Sequence, residues 1–147
     1  MRIAIGCDHG GIVLKPAVEA YLKQKNIEIT DFGTNDTASV DYPIYARKVA
    51  EAVASGAADK GILLCGTGIG MSIAANKVKG IRAAVLSDEF SAAACSAHNN
   101  ANILCLGGRV VSPEKAVKLV DLWLTTPFEG DRHNRRLAII AEMDERK

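Results

Sequence analysis

The sequence predicts a three-layer, doubly wound α/β fold: a five-stranded parallel sheet with helices on both faces and a further helix at the C-terminus. Two observations carry this expectation. Short apolar runs recur along the chain, each ending in a glycine-rich or polar loop. Between them stand segments whose apolar residues repeat at i, i+3, i+4 and i+7, the spacing of one helix face. Strands that alternate with helices form a parallel sheet covered on both sides, with right-handed crossovers.

The elements follow in order. Arg2 to Cys7 reads as a buried strand that runs into Asp8-His9-Gly10-Gly11. Leu14, Ala17, Val18, Tyr21 and Leu22 share one helix face. Ile27 to Phe32 is a second strand, closed by Gly33, and a polar loop runs from Gly33 to Tyr42. Ala46, Val49, Ala50, Val53 and Ala54 repeat the helical spacing until Ser55-Gly56 stops it. Gly61 to Cys65 is continuously apolar, as a strand buried on both faces should be. It breaks at Gly66-Thr67-Gly68-Ile69-Gly70, and a helix follows to about Lys77. Ile81 to Leu86 gives a fourth strand, Glu89 to Ala97 an alanine-rich helix, and Ile103 to Leu106 a fifth strand ended by Gly107-Gly108. Pro113 opens a helix in a favoured first-turn position, with Ala116, Leu119, Val120 and Trp123 on one face. The last helix runs from about Asp131 to the C-terminus, with Leu137, Ile140 and Ala141 as its apolar stripe. The whole is a Rossmann-like architecture in one domain, residues 1–147.

Composition narrows the function classes. Apolar residues make up 48% and charged residues 24%, so the chain is no disordered tract. A net charge of +1 lacks the basic excess of a nucleic-acid binder, and 5% aromatics leave few platforms for stacking bases. The longest uncharged stretch, Phe90 to Gly108, has Ser, His and Asn in its middle, which a bilayer core rejects. The apolar run after Arg2 is interrupted by Asp8, unlike a secretory signal. The expected location is the cytoplasm, with no membrane partner. Cysteines at 7, 65, 95 and 105 form no CxxC and no zinc-ribbon spacing, so free thiols are expected.

In doubly wound sheets, ligands bind beyond the carboxyl ends of the strands. Cys65-Gly-Thr-Gly-Ile-Gly70 is the most informative such stretch. Its alternating glycines expose backbone N–H groups at a helix start, an arrangement suited to an anion. Cys65 stands at its mouth, where a thiolate is favoured. The same glycines also suit a plain tight turn. A dinucleotide fingerprint needs glycine where Met71 stands, the Cys-x5-Arg phosphatase loop needs arginine there, and a Walker A loop needs a Gly-Lys-Ser/Thr ending that is absent.

Other features are weak singly. Asp8 and His9 follow strand one and point to the same crevice, though they also suit a capped turn. His98-Asn99 follows the alanine-rich helix, where a histidine also suits the helix dipole. Arg132 and Arg136 are four apart and share a face. Two guanidinium groups there suit a phosphate, although Arg135 and Lys147 also make a solvated basic face. Arg109 adds a positive group after Gly107-Gly108. Together they suit a small phosphorylated, polyhydroxylated substrate.

In combination these residues resemble the type B ribose-5-phosphate isomerases, a family shared with the galactose-6-phosphate isomerase subunits. The matching pieces are Ile5 to Gly11, Asp41-Tyr42-Pro43, Cys65 to Gly70, His98-Asn99, Gly107-Gly108-Arg109 and the Arg132/Arg136 pair. They span almost the whole chain in the family's order. The resemblance implies an aldose–ketose isomerase of ribose 5-phosphate and ribulose 5-phosphate, working without metal or nicotinamide. It implies a homodimer, able to pair into a tetramer, with each site built from two chains.

It also implies roles. Cys65 is the base that moves a proton between C2 and C1, and Thr67 assists transfer between the oxygens. His98 helps open the furanose ring. Asp8 and Asn99 bind hydroxyls, and Tyr42 lines the pocket with Gly66, Gly68, Ile69 and Gly70. His9, Arg109, Arg132 and Arg136 hold the phosphate. Some relatives use a carboxylate a few residues on instead of the cysteine, but Gly66 to Lys77 holds no Asp or Glu. Two alternatives stay open. One is isomerisation of a six-carbon aldose phosphate such as allose or galactose 6-phosphate. The other is a non-catalytic nucleotide- or phosphate-binding module, in which Asp31 at the end of strand two would bind a ribose.

Overall fold

The computed structural model describes residues 1–145. Five strands, β1 (Arg2–Cys7), β2 (Glu28–Asp31), β3 (Lys60–Cys65), β4 (Ala83–Val85) and β5 (Ile103–Gly107), form one sheet in the order β2-β1-β3-β5-β4. Every adjacent pair is parallel. Six helices complete the described chain: α1 (Lys15–Gln24), α2 (Tyr42–Ala54), α3 (Ile69–Ala75), α4 (Glu89–Ala97), α5 (Pro113–Thr125) and α6 (Arg132–Asp144).

The strand order sorts the helices between the two faces. The chain steps in one direction from β1 to β2 and from β4 to β5, and in the other from β2 to β3 and from β3 to β4. Right-handed crossovers therefore send α1 and α4 to one face and α2 and α3 to the other. Two cores follow. On one face Val18, Leu22, Ala92, Leu119 and Trp123 pack with Ile3, Ile5, Ile62 and Leu64. On the other, Ala46, Val49, Ala50, Met71 and Ala75 pack with Ala4, Leu63, Ile103 and Cys105. Alternate residues of β1, β3 and β5 thus feed opposite cores, so these central strands carry no polar face.

The element ends depart from the sequence expectation where side chains intervene. The expected fourth strand, Ile81 to Leu86, narrows to Ala83–Val85. Ile81 N–H closes a turn on Val78 O, and Arg82 N–H donates to the Asn102 side chain. The Asn76 amide donates to Ala83 O and accepts from its N–H, occupying this edge strand's free side. The second strand ends at Asp31, although Phe32 and Thr34 N–H still bond to Ile5 O and Cys7 O. Tyr42 opens α2 instead of closing the preceding loop. The α6 stripe differs most: Leu137 is half-buried, but Ile140 is 42% exposed and Ala141 is open, as are Ile139 and Met143 beside them. Lys147 lies outside the described residues.

Candidate functional site

Beyond the carboxyl ends of β1, β3 and β5 lies an open cleft of about 460 Å³, lined by Asp8, Tyr42, Cys65, Gly66, Thr67, Ile69, Gly70, Ile73 and Arg109. The strand register brings these loops together. Cys7 lies opposite Leu64, and Cys65 opposite Gly107. Beyond the strands, Gly108 N–H donates to Cys65 O at 2.8 Å and Arg109 N–H to Gly66 O at 3.0 Å. The Arg109 guanidinium lies over Gly66, where a built Cβ would come within 3.2 Å of Nη1.

Cys65 is the last residue of β3, only 4% exposed. Its Sγ accepts a hydrogen bond from Gly68 N–H at 3.0 Å. That return of the chain requires Gly68 at φ 81°, the left-handed region a side chain disfavours. Thr67 Oγ1 accepts from Ile69 N–H at 3.2 Å. The turn therefore uses two of its own amides, and the cradle is narrower than the glycine spacing alone implies. Gly70 is needed for space: a Cβ there would come within 2.5 Å of the Tyr42 ring.

Asp8 is buried at 6% exposure, and its Oδ1 accepts from Gly10 and Gly11 N–H at 2.8 and 3.1 Å. The capped turn is therefore present, held by one carboxylate oxygen, and the residue also lines the cleft. His9 Nδ1 accepts from Val40 N–H at 3.3 Å, which leaves Nε2 as the protonated nitrogen of the neutral ring.

The remaining expected residues gather elsewhere. His98 caps the C-terminus of α4, and Asn99 lines a second cavity of about 260 Å³ with Arg82 and Ile140. Arg132 and Arg136 are exposed on the first turns of α6. His98 stacks on His133, with ring centroids 4.6 Å apart. Neither His98, Asn99, Arg132 nor Arg136 lines the Cys65 cleft. The chain carries two groups of candidate residues, not one.

Sequence reasoning missed His133, which burial and the neighbouring Arg132 hold below the usual histidine pKa. Its signal was its position four residues after Glu129, masked by the flanking arginines. It also missed Lys15, a 5%-exposed ammonium paired with Asp31 Oδ2 at 2.5 Å. Asp31 Oδ1 accepts from Gly33 N–H at 3.0 Å, so this acid is committed within the fold and not offered to a ribose. Asp88, which also follows a strand, caps α4 through Ser91 N–H.

Ribose-5-phosphate isomerase B of Escherichia coli (strain K12) is 48% identical over 146 residues, 99% of this chain and 98% of that protein. The solved ribose-5-phosphate isomerase B of Clostridium thermocellum superposes with a TM-score of 0.97 at 51% identity, covering 99% of both chains. That of Mycoplasma genitalium, solved with bound ribulose-5-phosphate, gives 0.95 at 42% identity over 99% of this chain and 97% of that one. Residues 3–140 match the family model described as Ribose/Galactose Isomerase, and the chain belongs to that family.

Proposed function

We propose that this chain interconverts ribose 5-phosphate and ribulose 5-phosphate in the cytoplasm, as an enzyme of the pentose phosphate pathway and as one domain spanning the chain. The observation that carries the reading is Cys65 Sγ at the mouth of the glycine turn, 3.0 Å from Gly68 N, at the edge of an open cleft. The names of the Escherichia coli and Mycoplasma relatives support the substrate.

The chemistry is a proton transfer next to a carbonyl. With the ring opened by His98, the Cys65 thiolate takes the proton from C2 of the aldose. The C2–H electron pair forms the C1–C2 double bond, and the carbonyl electrons move onto O1, giving a cis-enediolate. The thiol returns the proton to C1, while Thr67 assists the proton's passage from O2 to O1. Free N–H groups of the turn receive the oxyanion, and one such donor is worth about 3–4 kcal/mol in other enzymes. Asp8, Tyr42 and Asn99 hold the sugar. His9, Arg109, Arg132 and Arg136 hold the phosphate, whose binding energy orients the reacting carbons.

Completion of the site requires a second copy. The His98 and Arg132/Arg136 group lies outside the Cys65 cleft of its own chain, so in a homodimer, itself able to pair into a tetramer, it serves the partner's cleft.

Cys65→Ala and Cys65→Ser are expected to lower kcat by about 10²–10⁴-fold, with the circular dichroism spectrum and inorganic phosphate affinity retained. Turnover within a few-fold of the parent would reject Cys65 as the base. Relative kcat/KM over five- and six-carbon aldose phosphates separates ribose 5-phosphate from allose or galactose 6-phosphate as the preferred substrate.

A further inference from the structure

At the junction of α4 and α6, three side chains from two distant parts of the chain converge. His98 follows the last residue of α4, Glu129 lies in the loop before α6, and His133 sits in its first turn. The backbone fixes their approach: Glu129 N–H donates to Ala97 O at 3.0 Å, and His133 N–H to Gly130 O at 3.0 Å. One donor atom from each lies within 4.8 Å of the other two.

We propose that His98, Glu129 and His133 bind a divalent transition-metal ion of the zinc class, and that its binding inhibits the isomerase. The inhibitory part rests on the role given to His98 above. Two imidazoles and a carboxylate are a donor set zinc accepts, with the fourth position left to water.

An independent observation points to a ligand. His133 is 5% exposed, and its Nε2 has no hydrogen-bond partner. That atom faces Glu129 Oε2 at 3.5 Å, beyond ordinary hydrogen-bond length. A buried ring nitrogen in this state is costly, and a metal ion satisfies it.

Closure requires movement. Metal–ligand distances of about 2.0–2.2 Å bring the donors closer than they stand, and stacked rings aim their lone pairs side by side. His98 is half-buried at a helix end and Glu129 is exposed, so both side chains can turn toward the ion. Arg132 Nη2, 3.9 Å from Glu129 Oε2, competes for the carboxylate and weakens the site. The ion is an inhibitor here, not a cofactor.

The test is calorimetric titration of the metal-free protein with Zn²⁺ alone, repeated on Glu129→Gln, His133→Gln and Cys65→Ser. One ion per chain is expected, with affinity falling about tenfold or more in the first two variants and unchanged in the third. Co²⁺ should give d–d bands without thiolate charge transfer. Zn²⁺ should stop turnover reversibly on chelation, and Glu129→Gln, active without metal, should need about tenfold more ion. No binding, unchanged affinity in Glu129→Gln, or loss of binding in Cys65→Ser overturns the site. Binding with undiminished turnover overturns the inhibition. A protein that binds zinc as described but isomerises no sugar phosphate keeps the site and rejects the function proposed above.

Discussion

Four free thiols stand in very different surroundings, and the proposed reaction uses only one of them. Cys7 donates to Thr34 O at 3.2 Å, Cys95 faces the core from α4, and Cys105 sits on β5 between β3 and β4. Burial pushes the Cys7 and Cys95 thiols up to about 11, and Cys105 higher still. At pH 8 a thiol of pKa about 11 holds only about one thiolate in a thousand, and the thiolate is what reacts. Cys65 alone among them lines the cleft. Iodoacetamide at pH 8 is therefore expected to label one cysteine per chain, Cys65, with loss of turnover and protection by ribose 5-phosphate. Peptide mapping by mass spectrometry checks this, and labelling first at Cys95 or Cys7 would contradict it.

Between single residues and the sheet stands the loop that joins β2 to α2. The Lys15 ammonium, on the first turn of α1, donates to Gly33 O, Thr34 O and Asn35 Oδ1 besides pairing with Asp31. It fastens the start of a segment whose end delivers Val40 to His9 and Tyr42 to Gly70. Removing one partner of a buried ion pair is costly because the other charge remains. Asp31 keeps 30% of its side-chain exposure, which moderates the loss. Lys15→Met is expected to cost about 1–3 kcal/mol, lowering Tm by several degrees, and to raise KM more than it lowers kcat. Thermal melts and steady-state kinetics check both, and an unchanged Tm would remove the clamp. This element also marks where sequence reading ends. Val49, Leu119 and Trp123 announced their helices because burial repeats with the helix period. Lys15 was invisible because a buried lysine has no pattern of its own. Asp31 looked available for the same reason: only the folded chain brings its partner to it.

At the scale of the whole molecule, the positions after the strands were legible, since strand ends and glycine turns follow from local pattern. Which of those positions share one cleft was not, because that depends on distances between elements far apart in sequence. The chain presents Cys65 in one group and His98 with Arg132 and Arg136 in another. It also leaves Ile139, Ile140 and Met143 of α6 between 42% and 56% exposed, an apolar stripe about half open to solvent. Both features have one explanation if two copies pair and exchange half-sites. Genetic complementation separates this from a site closed within one chain. Cys65→Ala and His98→Asn are each expected to be nearly inactive as homodimers. In a mixed dimer of the two, one site takes Cys65 and His98 from the mutated copies, and the other takes both from intact positions. Random assortment makes half the dimers mixed, each with one good site, so co-expression should restore about a quarter of the parental turnover. If each chain housed a complete site, every site would carry one lesion, and the mixture would stay as inactive as its parents.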